Sequence, residues 1–210
     1  MSGTVVFLNG TSSAGKGAIA RALQESLDEM FLHLEMDLIF EALEVAGYNG
    51  AVRLGETVPP KLARGAAFVH DGERFVRLEY GKDGRRAFQG YFGMVAALAD
   101  AGTNVIADAF LDEAWMIPSA VASLGERRAF LVGLRCDSEE LERRERERGD
   151  RFPGIAHAFA ESVHQHVPFY DIEIDTGSSS VEESARTIAR VIANGTPRAF
   201  KALRDGSARS

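Results

Sequence analysis

Residues 5–20 read VVFLNGTSSAGKGAIA: an apolar, β-favouring run, a loop of small residues bracketed by Gly10 and Gly15, then Lys16 and a helical periodicity carried on by Ile19, Ala20, Leu23 and Leu27. A buried strand that passes through such a loop directly into a helix leaves the first-turn N–H groups without partners at the positive end of the helix dipole. That cradle suits an anion, and glycine is required where a Cβ would block close approach or the backbone angles. The residues match Gly-x4-Gly-Lys, in which the lysine neutralises phosphate oxygens. Gly10, Thr11, Ser12, Ser13, Ala14, Gly15, Lys16, Gly17 and Ala18 are therefore the candidates for holding nucleotide phosphates. The plain alternative is a strand-to-helix turn with a solvated lysine. One place departs from the pattern: the position that normally offers a Ser or Thr hydroxyl to Mg²⁺ is Gly17, and Ala18 after it offers none either.

The rest of the chain repeats the strand-then-helix order. A strand around Leu32 to Leu34 leads into a helix opening near Asp37, and residues 86–100 are helical in spacing. The stretch NVIAD (104–108) is a buried strand ending in an acid, followed by a helix over 113–124 and a strand over 129–135. A highly charged helix over 138–148, a helical stretch over 155–165, a strand over 172–175 and a helix over 181–193 complete the series. Ser180 and Glu183 form a capping box for the last of these. Residues 47–85 break the alternation: Pro59-Pro60 interrupts regular structure, and AAFVHDGERFVRLEY (66–80) predicts two strands around an Asp71-Gly72 turn. The expected fold is α/β and three-layered, about five parallel strands flanked by helices with a hairpin-containing insertion and a lid at about 138–154. The domain spans 1–194. The polar tail 195–210 is expected to be loosely attached.

At 210 residues the chain suits one domain. Its net charge of −7 disfavours nucleic acid as a partner. The single cysteine, Cys136, allows no intrachain disulfide and reads as a small buried hydrophobe in a reducing compartment. No stretch reaches the length of a membrane span and the N-terminus lacks signal-peptide character, so a cytoplasmic protein without a membrane partner is expected. Homo-oligomerisation is left open.

In parallel α/β sheets ligands bind at the carboxyl ends of the strands, and the chemistry-bearing residues fall there. Asp108 is a candidate to orient Mg²⁺ through water, the alternative being a helix-capping or loop carboxylate. Asp37 either caps its helix or accepts the proton of an attacking hydroxyl. In ERRERERGDR, Arg148 and Arg151 are placed in a turn suited to closing on a phosphoryl group, whereas Arg143, Arg144 and Arg146 read as solvated helix surface. Arg135, at a strand end, is a candidate to stack on adenine. His164 and His166 are two residues apart and form no metal pair on a helix. Tyr48, Phe68, Phe75, Arg77, Tyr80, Phe88, Tyr91 and Phe92 either line an acceptor pocket or, more simply, pack the core.

VVFLNGTSSAGKG, MDLIFEAL, NVIADAFL, VGLRCD, RERERGDR and YDIEIDT follow one another as in the chloramphenicol phosphotransferase family, a branch of the P-loop kinases, and the chain resembles that family over nearly its whole length. The resemblance implies a five-stranded parallel sheet and ATP as phosphoryl donor with Mg²⁺. It implies Lys16 on the phosphates, Asp37 as base, lid arginines Arg148 and Arg151, and a small hydroxylated molecule as acceptor, with antibiotic resistance as the associated role. The chain departs from the family at Gly17, where the family has Ser, at Ala107-Asp108, where it has an acidic pair, and over the longer stretch 47–86. A nucleotide-binding module without transfer, and a kinase for a nucleotide or RNA-end acceptor, are the competing readings.

Overall fold

A computed structural model describes residues 2–149 and 153–205. In chain order the elements are β1 (Val5–Asn9), α1 (Lys16–Ser26), β2 (Phe31–Glu35), α2 (Asp37–Val45), β3 (Asn49–Arg53) and α3 (Pro60–Arg64). There follow β4 (Ala66–His70), β5 (Phe75–Tyr80), α4 (Lys82–Asp100), β6 (Asn104–Ala109), α5 (Met116–Leu124) and β7 (Ala129–Arg135). The chain ends with α6 (Ser138–Arg148), α7 (Ile155–Ala160), α8 (Ser162–Gln165), β8 (Ile172–Asp175), α9 (Val181–Asn194) and α10 (Ala199–Asp205).

Five strands form a parallel sheet in the order β2-β6-β1-β7-β8. β1 sits at its centre and every one of its residues is buried, because helices cover both faces and a strand buried on both sides must be apolar throughout. The period-two alternation of a strand then builds two cores from one run: Val5 and Phe7 enter one hydrophobic cluster with Phe88, Phe92 and Leu131, while Val6 and Leu8 enter the other with Ile19, Leu23 and Leu134. Cys136 packs half-buried at the edge of the second cluster, where burial pushes its thiol upward. The capping box at Ser180 and Glu183 is present. Among the described residues no helix is long and apolar enough to cross a membrane.

The insertion is more elaborate than a hairpin. β4 and β5 pair antiparallel as expected, but β3 adds a parallel strand to β4 and α3 packs beside them, giving a second, three-stranded sheet. β3 is illegible in the sequence because only Val52 of its five residues is buried, so no alternation marks it. The helix predicted over 113–124 begins at Met116, and that predicted over 155–165 breaks at Glu161 into α7 and α8.

For residues 195–205 the expectation of a loosely attached tail is corrected, and 206–210 lie outside the described residues. The Asp171 carboxylate accepts the N–H groups of Arg198 and Ala199 at 2.6 and 3.1 Å, which starts α10 against the body of the protein. Phe200, 2% exposed, then meets Phe7 edge-on at 5.7 Å between ring centroids. A polar helix with one buried aromatic face reads as surface unless its partner is known. Because Phe200 fills space beside the central strand, Phe200→Ala should cost about 3 kcal/mol or more in a denaturant titration, as large-to-small core changes do. An unchanged midpoint would mean that the tail contributes nothing to the core.

Candidate active site

The loop between β1 and α1 takes the shape its glycines allow. A Cβ on Gly10 would sit 3.0 Å from the Leu134 carbonyl oxygen, and Gly15 has φ 88°, a left-handed conformation that side chains disfavour. Ser13 also adopts positive φ, 61°, and its buried Oγ has no hydrogen-bond partner. No side chain caps α1, so its first N–H groups face the loop cavity with the helix dipole behind them. Lys16 Nζ donates to the Gly10 and Thr11 carbonyls at 3.0 and 2.9 Å and lies 3.7 Å from Asp108 Oδ1. The Thr11 hydroxyl turns away and donates to the Ala156 carbonyl at 2.7 Å, tying the loop to α7.

Gly17 differs from the other two loop glycines. A Cβ there would meet Asp108 Oδ2 at 3.6 Å and Arg21 Nη1 at 3.7 Å, ordinary contact distances, and no positive φ holds the position to glycine. The backbone therefore does not require Gly17. The place where the pattern has a hydroxyl is small, open and directed at Asp108.

Beside Asp108 the structure brings together residues that spacing alone does not connect. His33 and Glu35 are two apart on β2 and so share a face, and the parallel register pairs Glu35 with Asp108. His33 Nε2 lies 3.5 Å from Asp108 Oδ2, and Nδ1 lies 3.7 Å from Glu35 Oε1. Each of the three offers a ligand atom within 4.8 Å of the others. Sequence reading selects Asp108 and misses His33 and Glu35, because β2 was not registered against a partner strand.

These residues open onto a cavity of about 470 Å³ whose lining is of two chemical kinds. Loop and charged residues contribute Thr11, Ser12, Gly15, Lys16, Gly17, Ala18, Arg21, Asp108 and Arg148, and apolar side chains contribute Phe40, Phe68, Leu78, Phe110, Phe159 and Val163. Glu35 and Asp37 also line it, and Asp37 opens α2 one turn before Phe40, which puts the carboxylate and the ring on one helix face. Of the aromatics singled out from the sequence only Phe68 reaches the cavity; Phe75, Tyr80, Phe88, Tyr91 and Phe92 are buried packing. Phe40, Phe110 and Phe159 were missed, since a ring at helical or strand spacing carries no mark of facing a cavity.

Arg148 lines the cavity, and Arg151 lies outside the described residues. Arg135 does not line it: its guanidinium is half-exposed and paired with Glu173 at 2.6 Å. The side chain flanking the loop from outside is Arg144, read from the sequence as surface. It is partly buried, donates to the Thr176 carbonyl at 2.7 Å and stands 3.7 Å from the Cβ position of Gly15, at a second hollow also lined by Thr176, Ser179 and Val181. Buried Glu145 accepts the N–H groups of Gly154 and Ala156 at 2.6 and 2.8 Å and ties α6 to the start of α7. Burial holds the His164 imidazole down to about 4, so it is neutral, and its Nδ1 lies 2.6 Å from the Tyr170 hydroxyl.

A phosphate-type loop at the end of a central strand, in a parallel sheet of this order, defines a P-loop kinase. The chain belongs to the chloramphenicol phosphotransferase-like family, whose model matches residues 3–193. It is 33% identical over 187 residues to a Mycobacterium tuberculosis protein named provisionally as an O-phosphotransferase, the match covering 89% of this chain and 80% of that one. Its fold is similar to that of the Mycobacterium tuberculosis APS kinase solved with AMPPNP and APS, with TM-score 0.61, 18% identity, and coverage of 92% of this chain and 99% of that one. It is also similar to a Janibacter sugar kinase, with TM-score 0.59, 14% identity and coverage of 96% and 98%. A tunicamycin resistance protein of Deinococcus radiodurans has TM-score 0.56, 13% identity and coverage of 93% and 98%. The chain is a kinase-type O-phosphotransferase.

A buried acid, Asp112, joins two elements that line the cavity. Asp112 accepts the Tyr80 hydroxyl at 3.1 Å and thereby links the strand carrying Leu78 to the loop carrying Phe110, both cavity residues. Burial pushes Asp112 from 3.8 up to about 7, so the folded state binds a proton the unfolded chain has lost. Stability from this group is full below the unfolded value and is lost as pH rises through the folded one. Between about pH 5 and about pH 8 the native protein should lose roughly 2–3 kcal/mol relative to Asp112→Asn, measured by urea denaturation at both pH values. Parallel pH profiles for the two proteins would contradict the assignment.

Proposed function

We propose that the protein transfers the γ-phosphoryl group of ATP to a hydroxyl of a small, largely apolar molecule carrying an aromatic or similarly bulky body. The observation that carries this reading is the cavity's mixed lining: the anion-receptive loop shares one cavity with Phe40, Phe68, Leu78, Phe110 and Phe159. Among the described residues, the cations lining it are Lys16, Arg21 and Arg148, which serve the phosphates and leave none to match an anionic acceptor. That favours an uncharged alcohol over a sugar acid or a nucleotide, and chloramphenicol is a reasonable member of the class.

On this reading the amides of Gly15 to Gly17 and Lys16 hold the donor phosphates, and Lys16 leaves the Gly10 and Thr11 carbonyls to do so. Asp37 accepts the proton of the acceptor hydroxyl as its oxygen bonds to the γ-phosphorus and the bond to the β-phosphate oxygen breaks, releasing ADP. Arg148 neutralises charge on the transferring group, and Arg151, outside the described residues, is proposed for the same lid. The hollow at Arg144 and Thr176, and not Arg135, is the better candidate for the nucleoside. A divalent cation, Mg²⁺ in kinases generally, would neutralise the phosphate oxygens, and Asp108 with its neighbours is the acidic group that fits one.

A panel of chloramphenicol, related aromatic alcohols, gluconate and nucleosides assayed with γ-labelled ATP tests the acceptor class. The apolar alcohols should be labelled and gluconate should not; the reverse preference would defeat the proposal. Asp37→Asn should lower kcat by about 100-fold or more, and Lys16→Ala should lower kcat/KM by a similar factor. Gly17→Ser has room for its Cβ and directs a hydroxyl at Asp108, so it should raise activity and lower the Mg²⁺ concentration needed for half-maximal rate. Tight, metal-independent ATP binding without turnover by either protein would instead support the binding-module reading.

A further inference from the structure

We propose that His33 is a metal ligand: with Glu35 and Asp108 it forms a nitrogen-containing divalent-cation site that takes over from the hydroxyl absent at Gly17 and selects Mn²⁺ over Mg²⁺. The inference deepens the phosphotransfer reading and rests on it for the cation's purpose, but the site itself is testable without turnover.

The first support is the state of the imidazole. His33 Nε2 is buried and has no hydrogen-bond partner, although a carboxylate oxygen of Asp108 is 3.5 Å away. An imidazolium present only to make an ion pair would be expected to donate to that oxygen, and an unmade bond at a buried polar atom costs about 1–3 kcal/mol. A ligand nitrogen held at a distance from its fellow ligands is the arrangement that leaves space for an ion between them. The second support is the set itself: one imidazole and two carboxylates from adjacent strands, with ligand atoms within 4.8 Å of one another. The third is location. The virtual Cβ of Gly17 lies 3.6 Å from Asp108 Oδ2, so the cluster borders the very place where a loop hydroxyl would stand.

Donor chemistry then sets the metal. Mg²⁺ favours oxygen ligands and retained water, whereas Mn²⁺ takes the same carboxylates and, as a first-row transition ion, accepts an imidazole more readily than Mg²⁺ does, so a set that includes His33 shifts preference from Mg²⁺ toward Mn²⁺. Lys16, 3.7 Å from Asp108, opposes the cation in the nucleotide-free protein. Phosphate that draws Lys16 away should therefore tighten metal binding.

Electron paramagnetic resonance of the whole protein with MnCl₂ alone supplies the test. The expected result is bound Mn²⁺ at millimolar metal with a ¹⁴N modulation from imidazole in the pulsed spectrum, and MgCl₂ displacing it only at about tenfold excess or more. His33→Gln should abolish the ¹⁴N signal and weaken Mn²⁺ binding by about tenfold or more, with its circular dichroism unchanged. If that variant fails to fold, the ¹⁴N signal of the native protein decides the matter. No bound Mn²⁺, bound Mn²⁺ without nitrogen coupling, or equal displacement by equimolar Mg²⁺ would each overturn the proposal. Adding β,γ-methylene-ATP separates the two ideas: a His33-dependent site that the nucleotide does not tighten leaves the metal ligand standing and counts against the phosphate reading.

Discussion

The buried amide of Asn9 is the interaction on which the site depends. It stands at the last residue of the central strand, fully buried, and both of its N–H bonds are used, to the Val163 carbonyl and the Tyr170 hydroxyl at 2.7 Å each. Its carbonyl accepts the N–H of Leu111 at 2.8 Å. One side chain thus fastens the strand end to α8, to the segment before β8 and to the loop after β6. The loop that follows inherits that rigidity. Thr11 extends the same network by donating to Ala156, so the anion cradle and the start of α7 are one hydrogen-bonded unit. A buried amide with every strong bond made is stable where it is, and costly to leave half-satisfied.

The cavity's roof is built jointly by two parts that are remote in sequence. The Phe75 N–H of the insertion donates to the Pro153 carbonyl at 2.9 Å, and its ring meets Phe159 of α7 at 5.2 Å. The insertion is therefore braced against α7 and the segment that leads into it. The apolar wall runs from Phe40 through Phe68, Phe110 and Phe159, with ring centroids 5.2 Å apart for Phe40–Phe68, 6.0 Å for Phe40–Phe110 and 6.3 Å for Phe110–Phe159. Charged groups line the same cavity, where low-dielectric walls strengthen their action on a phosphate.

Much of the fold was legible because its signals are local. A run such as Val5 to Leu8 is apolar by necessity in a doubly covered strand, Ser180 and Glu183 cap a helix by their own hydrogen bonds, and the Asp71-Gly72 turn is specified by its own residues. The elements misread are those whose burial is conferred from outside. β3 holds its place by pairing with β4, and α10 is held by Phe200 against Phe7, neither of which its own sequence reveals. In the site, Lys16, Asp37, Asp108 and Arg148 were picked out because they follow strands or close a charged helix, and all four line the cavity. Arg135 was assigned to a nucleoside by its strand end alone, and its pairing with Glu173 turns it elsewhere.

The sequence by itself determined the strand–loop–helix, the parallel α/β order and the glycines at positions 10 and 15, since backbone conformation and two-faced burial leave few other residues possible there. Only the tertiary structure decided what surrounds them. Strand register set Glu35 and His33 beside Asp108, contacts across 73 residues of chain or more that no local pattern encodes. It also showed that Gly17 is not demanded by the backbone, because the cost of a Cβ depends on neighbours contributed by a different strand.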